Sequence, residues 1–403
     1  MTSPLIFGQA VPVPARSPGL ADFVGFGESG VTIMRNRFDP VEEFVLADFG
    51  LNAGGWQVDR HVRVVADTTG DGSADLVGFG EDGVYISVNK GNNSFAPATK
   101  VVSDFAYSAG NWRVDEHLRF MVDLRNTGRA DIVGFGNPGI LVSLNQGDGK
   151  FGPTQLALNN FAVNTGGWNL TKHLRFVADV NGDKFPDIVG FGDPGVYVSL
   201  GNGDGTFQAQ DLVIQDLGFN QGWQVDQNPR FVAELNGDGK PDIIGFGNDG
   251  VHVALNNGDG TFQPPRVVLD DYSSQQGWHA SRHQWSVADI TGDGAEDIVA
   301  FGDQGVYVSV NNGNGTFQPK KVVLREFGYD QGFRVGSTPR WLADMTGNGR
   351  ADIVGTGSAA LYVSFSDGKG GFAEVDIMAN DFGNENTGWS DATTVKYATN
   401  LYH

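Results

Sequence analysis

The sequence predicts an all-β protein: a seven-bladed β-propeller of four-stranded antiparallel blades, closed by pairing the C-terminal strand with the N-terminal segment. Three observations predict it. A V-G-F-G-like segment recurs at Asp22, Asp75, Asp131, Asp187, Asp242, Asp297 and Asp352, at intervals of 53, 56, 56, 55, 55 and 55 residues. Within each unit the hydrophobic pattern has a period of two and is broken by Gly/Asp/Asn turns. The chain ends are complementary, because the first copy lacks its leading strand and the C-terminus carries a spare one.

The unit at 173–217 shows the elements in order. His173 to Val180 reads as a strand and is followed by the acidic turn Asn181-Gly-Asp-Lys-Phe-Pro186. Asp187 to Gly192 is a second strand, and Asp193-Pro-Gly195 turns tightly into a third, Val196 to Leu200. The loop from Gly201 to Phe207 leads to a fourth strand around Asp211 to Asp216. A single meander cannot bury both of its faces, so the units must stack as a solenoid or a ring. Thr394–Leu401 aligns with Val62–Thr68 as an extra first strand, with Asn400 in the place of Asp67. A permuted blade requires the ends to meet, so a closed ring follows. The expected blades are 20–48 plus 395–401, 60–105, 117–161, 173–217, 228–271, 283–326 and 338–382, in one domain spanning 1–403.

Composition agrees. Among 403 residues there are 59 Gly and no Cys, while 40% are hydrophobic. Glycine at twice its usual share of about 7% suits a turn-rich β fold, and the apolar content argues against disorder. The net charge of −21 opposes nucleic acid and anionic membrane partners. Without cysteine there is no disulfide framework. The stretch Met1–Phe7 has neither a basic region nor a long apolar core, and no apolar run is long enough to span a membrane. No signal peptide and no membrane insertion are therefore expected, and the location is cytoplasmic or reached by non-classical secretion. The sequons at Asn92, Asn169 and Asn314 are correspondingly weak signs of glycosylation.

Two repeated constellations carry chemistry. Most first turns read D-x-T/N-G-D-G-x-x-D: Asp67/Thr69/Asp71/Asp75, Asp179/Asn181/Asp183/Asp187, Glu234/Asn236/Asp238/Asp242 and Asp289/Thr291/Asp293/Asp297. Alternate oxygens in a tight loop suit Ca²⁺, with the Asn181 and Asn236 loops best equipped. The same spacing also suits Asx turns, in which Asp accepts backbone N–H bonds. The copy at Asp344/Thr346/Asn348/Asp352 has less charge, and Asp123/Arg125/Thr127/Asp131 places a cation among the ligands.

The second constellation, G-W-x-x-x-x-H-x-R, joins the blades: Trp56/His61/Arg63, Trp112/His117/Arg119 and Trp168/His173/Arg175. Trp278 keeps His283 but has Trp285 for Arg, whereas Trp223, Phe333 and Trp389 are followed by Asn228, Thr338 and Thr394. Meander geometry sets these connectors beside the second-to-third turns, where indole and fixed polar groups could hold a sugar. The Trp could equally be a wedge between blades, and the Arg a salt-bridge partner of the acidic turns. Variation of the His suits a role that folding does not require. His252, His279 and His403 have no repeated context and are expected on the surface.

The D-x-N-G-D-G-x-x-D turn and the L-N-N-G-D-G-T-F loop resemble FG-GAP repeats of integrin α-subunit propellers. Over essentially the whole chain, the V-G-F-G repeats, the G-G-W-x-V-x-x-H-x-R connectors and the closing T-V-K-Y-A-T-N-L-Y resemble the Psathyrella velutina lectin family. That resemblance implies binding of N-acetylglucosamine, and also of sialylated glycans, between consecutive blades, with Ca²⁺ in FG-GAP-type loops. Sugar sites are then expected at connectors 56–63, 112–119, 168–175 and 278–283, with a fifth at Trp223. The expected function is a non-enzymatic, multivalent lectin, monomeric or weakly self-associating, since every notable residue is repeated rather than singular. An integrin-like protein-binding propeller is the alternative.

Overall fold

Packing on both faces decides which strands are continuously apolar. In the fourth blade, strands Leu174–Ala178, Asp187–Phe191, Val196–Ser199 and Asp211–Ile214 pair antiparallel in that order. The second strand is buried throughout, while the fourth begins with exposed residues. Ile188 packs with Val133, Phe135 and Val142 of the preceding blade, whereas Val189 packs with Val232, Ile243 and Ala254 of the next. Alternate side chains of one strand therefore serve two different seams.

In the computed structural model, residues 20–35, 41–92, 94–399 and 401 are described. They form seven such four-stranded sheets, the propeller read from the repeat. The apolar core is correspondingly divided into seven clusters, each drawn from two neighbouring blades. Closure is also as expected. Val395–Thr399 pairs antiparallel with Asp22–Gly27, with Asp22 opposite Thr399 and Phe26 opposite Val395. Leu401 is fully buried and its carbonyl accepts the N–H of Ala74 at 3.0 Å. Asn400 and His403 lie outside the described residues. Among the described residues, no helix is long and apolar enough to cross a membrane.

The connectors add a detail. From Leu217 to Trp223, Tyr272 to Trp278 and Phe327 to Phe333 the path is one residue shorter than from Phe161 to Trp168. The shortened paths are taken up as 3₁₀ turns, Phe219–Gln221, Ser274–Gln276 and Tyr329–Gln331.

The acidic turns join blades as well as ending strands. Asn256 Nδ2 donates to the Val180 carbonyl of the preceding blade at 2.8 Å, and Asn311 Nδ2 to that of Leu235 at 2.9 Å. Asn145 Nδ2 reaches Thr68 in the same way, and Ser366 Oγ reaches Ile290. Backbone N–H groups of Ala130, Glu296 and Ala351 add bonds to Asp67, Glu234 and Asp289 carbonyls. Blade four has Pro186 and Gly201 in these two columns, so it can offer neither donor to blade three. Asn256→Ala should strand the Val180 and Pro241 carbonyls and cost about 1–3 kcal/mol in denaturant unfolding. An unchanged midpoint and slope would show that the amide contributes nothing to the seam.

Candidate functional site

Every connector begins with a residue in the left-handed region: Phe49, Phe105, Phe161, Leu217, Tyr272, Phe327 and Phe382, with φ between 57° and 63°. Such a conformation costs a side-chain-bearing residue about 1–3 kcal/mol and needs support from its surroundings. At Phe161 the preceding Asn160 Oδ1 accepts its N–H at 2.6 Å. Its ring packs on Trp168 with centroids 4.8 Å apart. Its carbonyl accepts Nη1–H of Arg175 at 2.8 Å. Arg63, Arg119, Arg230 and Arg340 clamp Phe49, Phe105, Leu217 and Phe327 in the same way, at 3.0, 3.2, 2.8 and 2.9 Å.

These five arginines are only 1–3% exposed. Arg119, Arg175, Arg230 and Arg340 lie against the ring of Phe79, Phe135, Phe191 or Phe301 in the blade before. Burial pushes their pKa down, to about 9 for Arg175 and about 10 for Arg63, so they remain charged at neutral pH. The alternation of the first strand turns them into the seam. Arg63, Arg119 and Arg175 thus sit behind the connector as positioning residues, in contact neither with the acidic turns nor with the outer surface.

The tryptophans are also buried. A Cβ at Gly190 would come within 2.6 Å of Trp168, and one at Gly134 within 2.3 Å of Trp112. The glycine of V-G-F-G is the seat of the indole, which therefore wedges the seam and shows only a margin outward. Indole N–H groups of Trp56, Trp112 and Trp168 donate to Asp48, Asp104 and Asn160. In blade six the seat is Ala300, and the Arg column carries Trp285, which packs on Trp278 with centroids 5.7 Å apart.

The connector histidines have a second task that their variation concealed. Nδ1 of His61, His117, His173 and His283 accepts the N–H of the residue after Trp or its equivalent, at 3.0–3.1 Å. Asn228 Oδ1 and Thr338 Oγ1 accept the same N–H in their connectors, so the column preserves an acceptor for the turn. The expectation that folding does not require this column is corrected accordingly. With Nδ1 committed, the neutral ring carries its proton on Nε2. That atom faces a carboxylate of the second-to-third turn: Glu81 at 3.4 Å, Asp193 at 3.0 Å and Asp303 at 2.9 Å. Burial lowers the pKa of all four rings, against the opposing pull of these partners and of Asn137 at His117.

Beside Trp168 these groups enclose a cavity of about 190 Å³, lined by Asn160, His173, Asp193, Pro194, Tyr197 and Gln210 among others. That is smaller than the roughly 300–1,000 Å³ of clefts for drug-sized ligands, and it suits the end of a single sugar. The Asp193 carboxylate, oriented by His173 Nε2–H, offers acceptor oxygens to hydroxyl or acetamido groups, and the Tyr197 ring supplies an apolar wall. The second-to-third turn that carries Asp193 was expected beside the connector, whereas Tyr197 and Gln210 were missed. The recurrence of Tyr85, Tyr197, Tyr307 and Tyr362 in the third strand was the available signal.

The acidic turns show the bonding of Asx turns. Asp179 accepts the N–H groups of Gly182 and Lys184, and Asp67, Asp289 and Glu234 accept equivalent loop donors. The ninth-position residues Asp75, Asp187, Asp242 and Asp297 are fully buried, each bonded to two backbone N–H groups on opposite sides. They face the blade interior rather than the loop. Asn181 Nδ2 donates to Asp183, Asn236 Nδ2 to Asp238, and Asp71 and Asp293 cap their own turns. Arg125 pairs with Asp131 at 2.8 Å inside its loop. Among the described residues, no three His, Asp or Glu side chains gather as a metal cluster.

Burial pushes Asp187 and Asp242 up to about 7, against their backbone donors. A raised folded pKa stabilises the protonated folded form, and that contribution is lost as pH rises toward 7. The histidines act oppositely, since their lowered values favour the neutral ring above about 6.5. Asp187→Asn should therefore make the melting temperature respond less favourably to acidification from pH 8 to 6 than in the wild type. Parallel melting profiles for the two proteins would rule out this linkage.

The known proteins agree with this geometry. An FG-GAP-like repeat family matches residues 235–300. No curated protein sequence matches the chain. A solved lectin from Agrocybe aegerita, described as specifically recognising non-reducing terminal N-acetylglucosamine, is 50% identical over 96% of both chains, with a TM-score of 0.94. A periplasmic gluconolactonase of Pseudomonas aeruginosa covers 95% of this chain and 100% of its own at 13% identity and a TM-score of 0.50, a likeness of fold alone. With half of its residues shared with the Agrocybe lectin across nearly its full length, the chain belongs to the same family, the Psathyrella velutina-type propeller lectins.

Proposed function

We propose that the chain is a multivalent lectin for glycans ending in N-acetylglucosamine, bound in the cavities at Trp56, Trp112, Trp168 and Trp278. The cavity beside Trp168 carries this reading. Its size admits one terminal residue, and the Asp193 carboxylate, held by His173 at 3.0 Å, supplies acceptors for its hydroxyl and amide groups. The Agrocybe relative, half identical, recognises the same terminal sugar. Each shallow cavity would bind a monosaccharide weakly, so affinity for a branched glycan would come from simultaneous engagement around one rigid face. Sialylated termini, which share the acetamido group, belong to the same proposal.

The observed connector suggests a sharper variant than truncation. His173→Asn keeps an acceptor for the Asn169 N–H, as Asn228 does in its own connector, but removes the Nε2–Asp193 pair. It should empty the Trp168 cavity in crystals soaked with N-acetylglucosamine while leaving the melting temperature nearly unchanged. His173→Ala should lower both. Sugar retained by the Asn variant would remove His173 from the site. For the whole protein, glycan-array binding should be inhibited by free N-acetylglucosamine; a silent array with specific capture of a protein would favour the integrin-like reading instead.

Calcium in the acidic turns is a separate proposal. Asp179, Asn181 and Asp183 would be its holders, and bound Ca²⁺ would supply loop rigidity rather than chemistry. Because the ninth-position aspartates are buried and each already bonded to two backbone N–H groups, loading would rely chiefly on the outer three side chains. A chelator should lower the melting temperature if the loops are loaded, and an unchanged melt would leave them as self-sufficient Asx turns.

A further inference from the structure

The residue immediately before the fourth strand differs from blade to blade. In blades two to seven it is Ala98, Thr154, Gln210, Pro265, Lys320 and Val375, and Lys320 alone carries a charge. Gln210 lines the cavity beside Trp168. At the Trp278 seam an ammonium group therefore stands in the column where that cavity has a neutral amide.

The lysine is held in place by the seam's own residues. Its Nζ donates to Asp271 Oδ1 at 2.6 Å, and both side chains of the pair are mostly buried. The ammonium lies 5.2 Å from the Trp278 ring centroid, 5.4 Å from that of Tyr307 and 5.5 Å from that of Tyr272. An ammonium carries three N–H donors, and Asp271 takes one of them.

The second carboxylate of this seam is matched as well. Asp303 accepts from His283 Nε2 at 2.9 Å and also from Arg282 Nε. In the Trp168 connector the residue before the histidine is Lys172, but its ammonium lies over the Phe219 ring at 4.4 Å. Among the described residues, Asp193 has no ion-pair partner besides the His173 imidazole. With Asn160 and Gln210 uncharged, the Trp168 cavity presents a carboxylate that no lysine or arginine offsets. The Trp278 seam presents two carboxylates, each bonded to a cation. Two seams of one frame thus differ in charge.

We propose that Lys320 is a specificity-determining residue, which makes the Trp278 seam select a terminal sugar bearing an anionic substituent such as a sulfate ester. This rests on the reading that these cavities bind the sugar. Lys320 would donate to the anionic group, while Arg282 holds Asp303 and offsets its repulsion. Beside Trp168 the charge of Asp193 works against the same ligand, so the two seams discriminate by repulsion as well as by attraction.

Crystals soaked over a concentration series with N-acetylglucosamine and, separately, with its 6-sulfate report the half-filling concentration at each seam. Relative to the plain sugar, the 6-sulfate should fill the Trp278 seam roughly tenfold more readily than the Trp168 cavity, the order of one charge-assisted hydrogen bond. Lys320→Gln should abolish that preference at Trp278, and Gln210→Lys should raise the ratio at Trp168 by a similar factor. Equal ratios at the two wild-type seams overturn the proposal, as does a Trp278 preference that survives Lys320→Gln. Should that variant fail to fold, an unchanged ratio at Trp168 in Gln210→Lys overturns it, and a raised one supports it. A wild type that takes the plain sugar at Trp168 and neither sugar at Trp278 overturns this proposal alone. Plain sugar absent from every wild-type seam overturns the lectin reading beneath it too.

Discussion

At five of the seven connectors a buried guanidinium donates to the carbonyl of a left-handed residue, and the geometry of the seam follows from that bond. Neither partner is comfortable alone. The left-handed residue is strained, and a buried cation without a carboxylate is poorly solvated. Together they satisfy one carbonyl and one donor, while aromatic faces take the rest of the charge. The bond fixes where the chain leaves one blade and so where the indole lands on the next. The other two connectors do without it: Tyr272 bonds Ser309 through its hydroxyl beside Trp285, and Lys396 donates to the Trp389 carbonyl.

The two faces of the ring divide the labour. On one, the acidic turns bind blade to blade through carbonyls and Asn side chains, so much of their repeated pattern is accounted for by joinery. On the other, the cavity beside Trp168 is built by a connector and a turn, elements whose residues differ from blade to blade while the clamp behind them recurs. The repeats are structurally equivalent and chemically individual for this reason.

Much of the ring was legible because a period of two and a spacing of about 55 residues leave few alternatives. The closing strand was legible because Thr394–Leu401 copies a first strand. The site was legible only where a column recurs with a rare residue, as Trp and His do. Arg175 lies deeper than the connector reading placed it because both faces of its strand are seams, and a sequence does not say that the side chain turns back to clamp the Phe161 carbonyl. His252 was expected on the surface because its own neighbours say little; it takes the third-strand column that holds Tyr in four other blades and meets Trp223 edge-on. In the acidic turns the first-position carboxylates could be read either way, because an Asx acceptor and a calcium ligand use the same atoms at the same spacing.

A closed ring is only as continuous as its least fastened joint. Between blades three and four the proline and the glycine of blade four remove both of the cross-blade donors found elsewhere on the acidic face. Apolar packing must hold that joint with little directional help. A ring that breathes will part there first, and backbone amides along that boundary will exchange ahead of their counterparts. The Trp168 cavity belongs to the same joint, on the far face. A molecule clasped at that rim would therefore sit across the joint with the fewest directional fastenings on the opposite face.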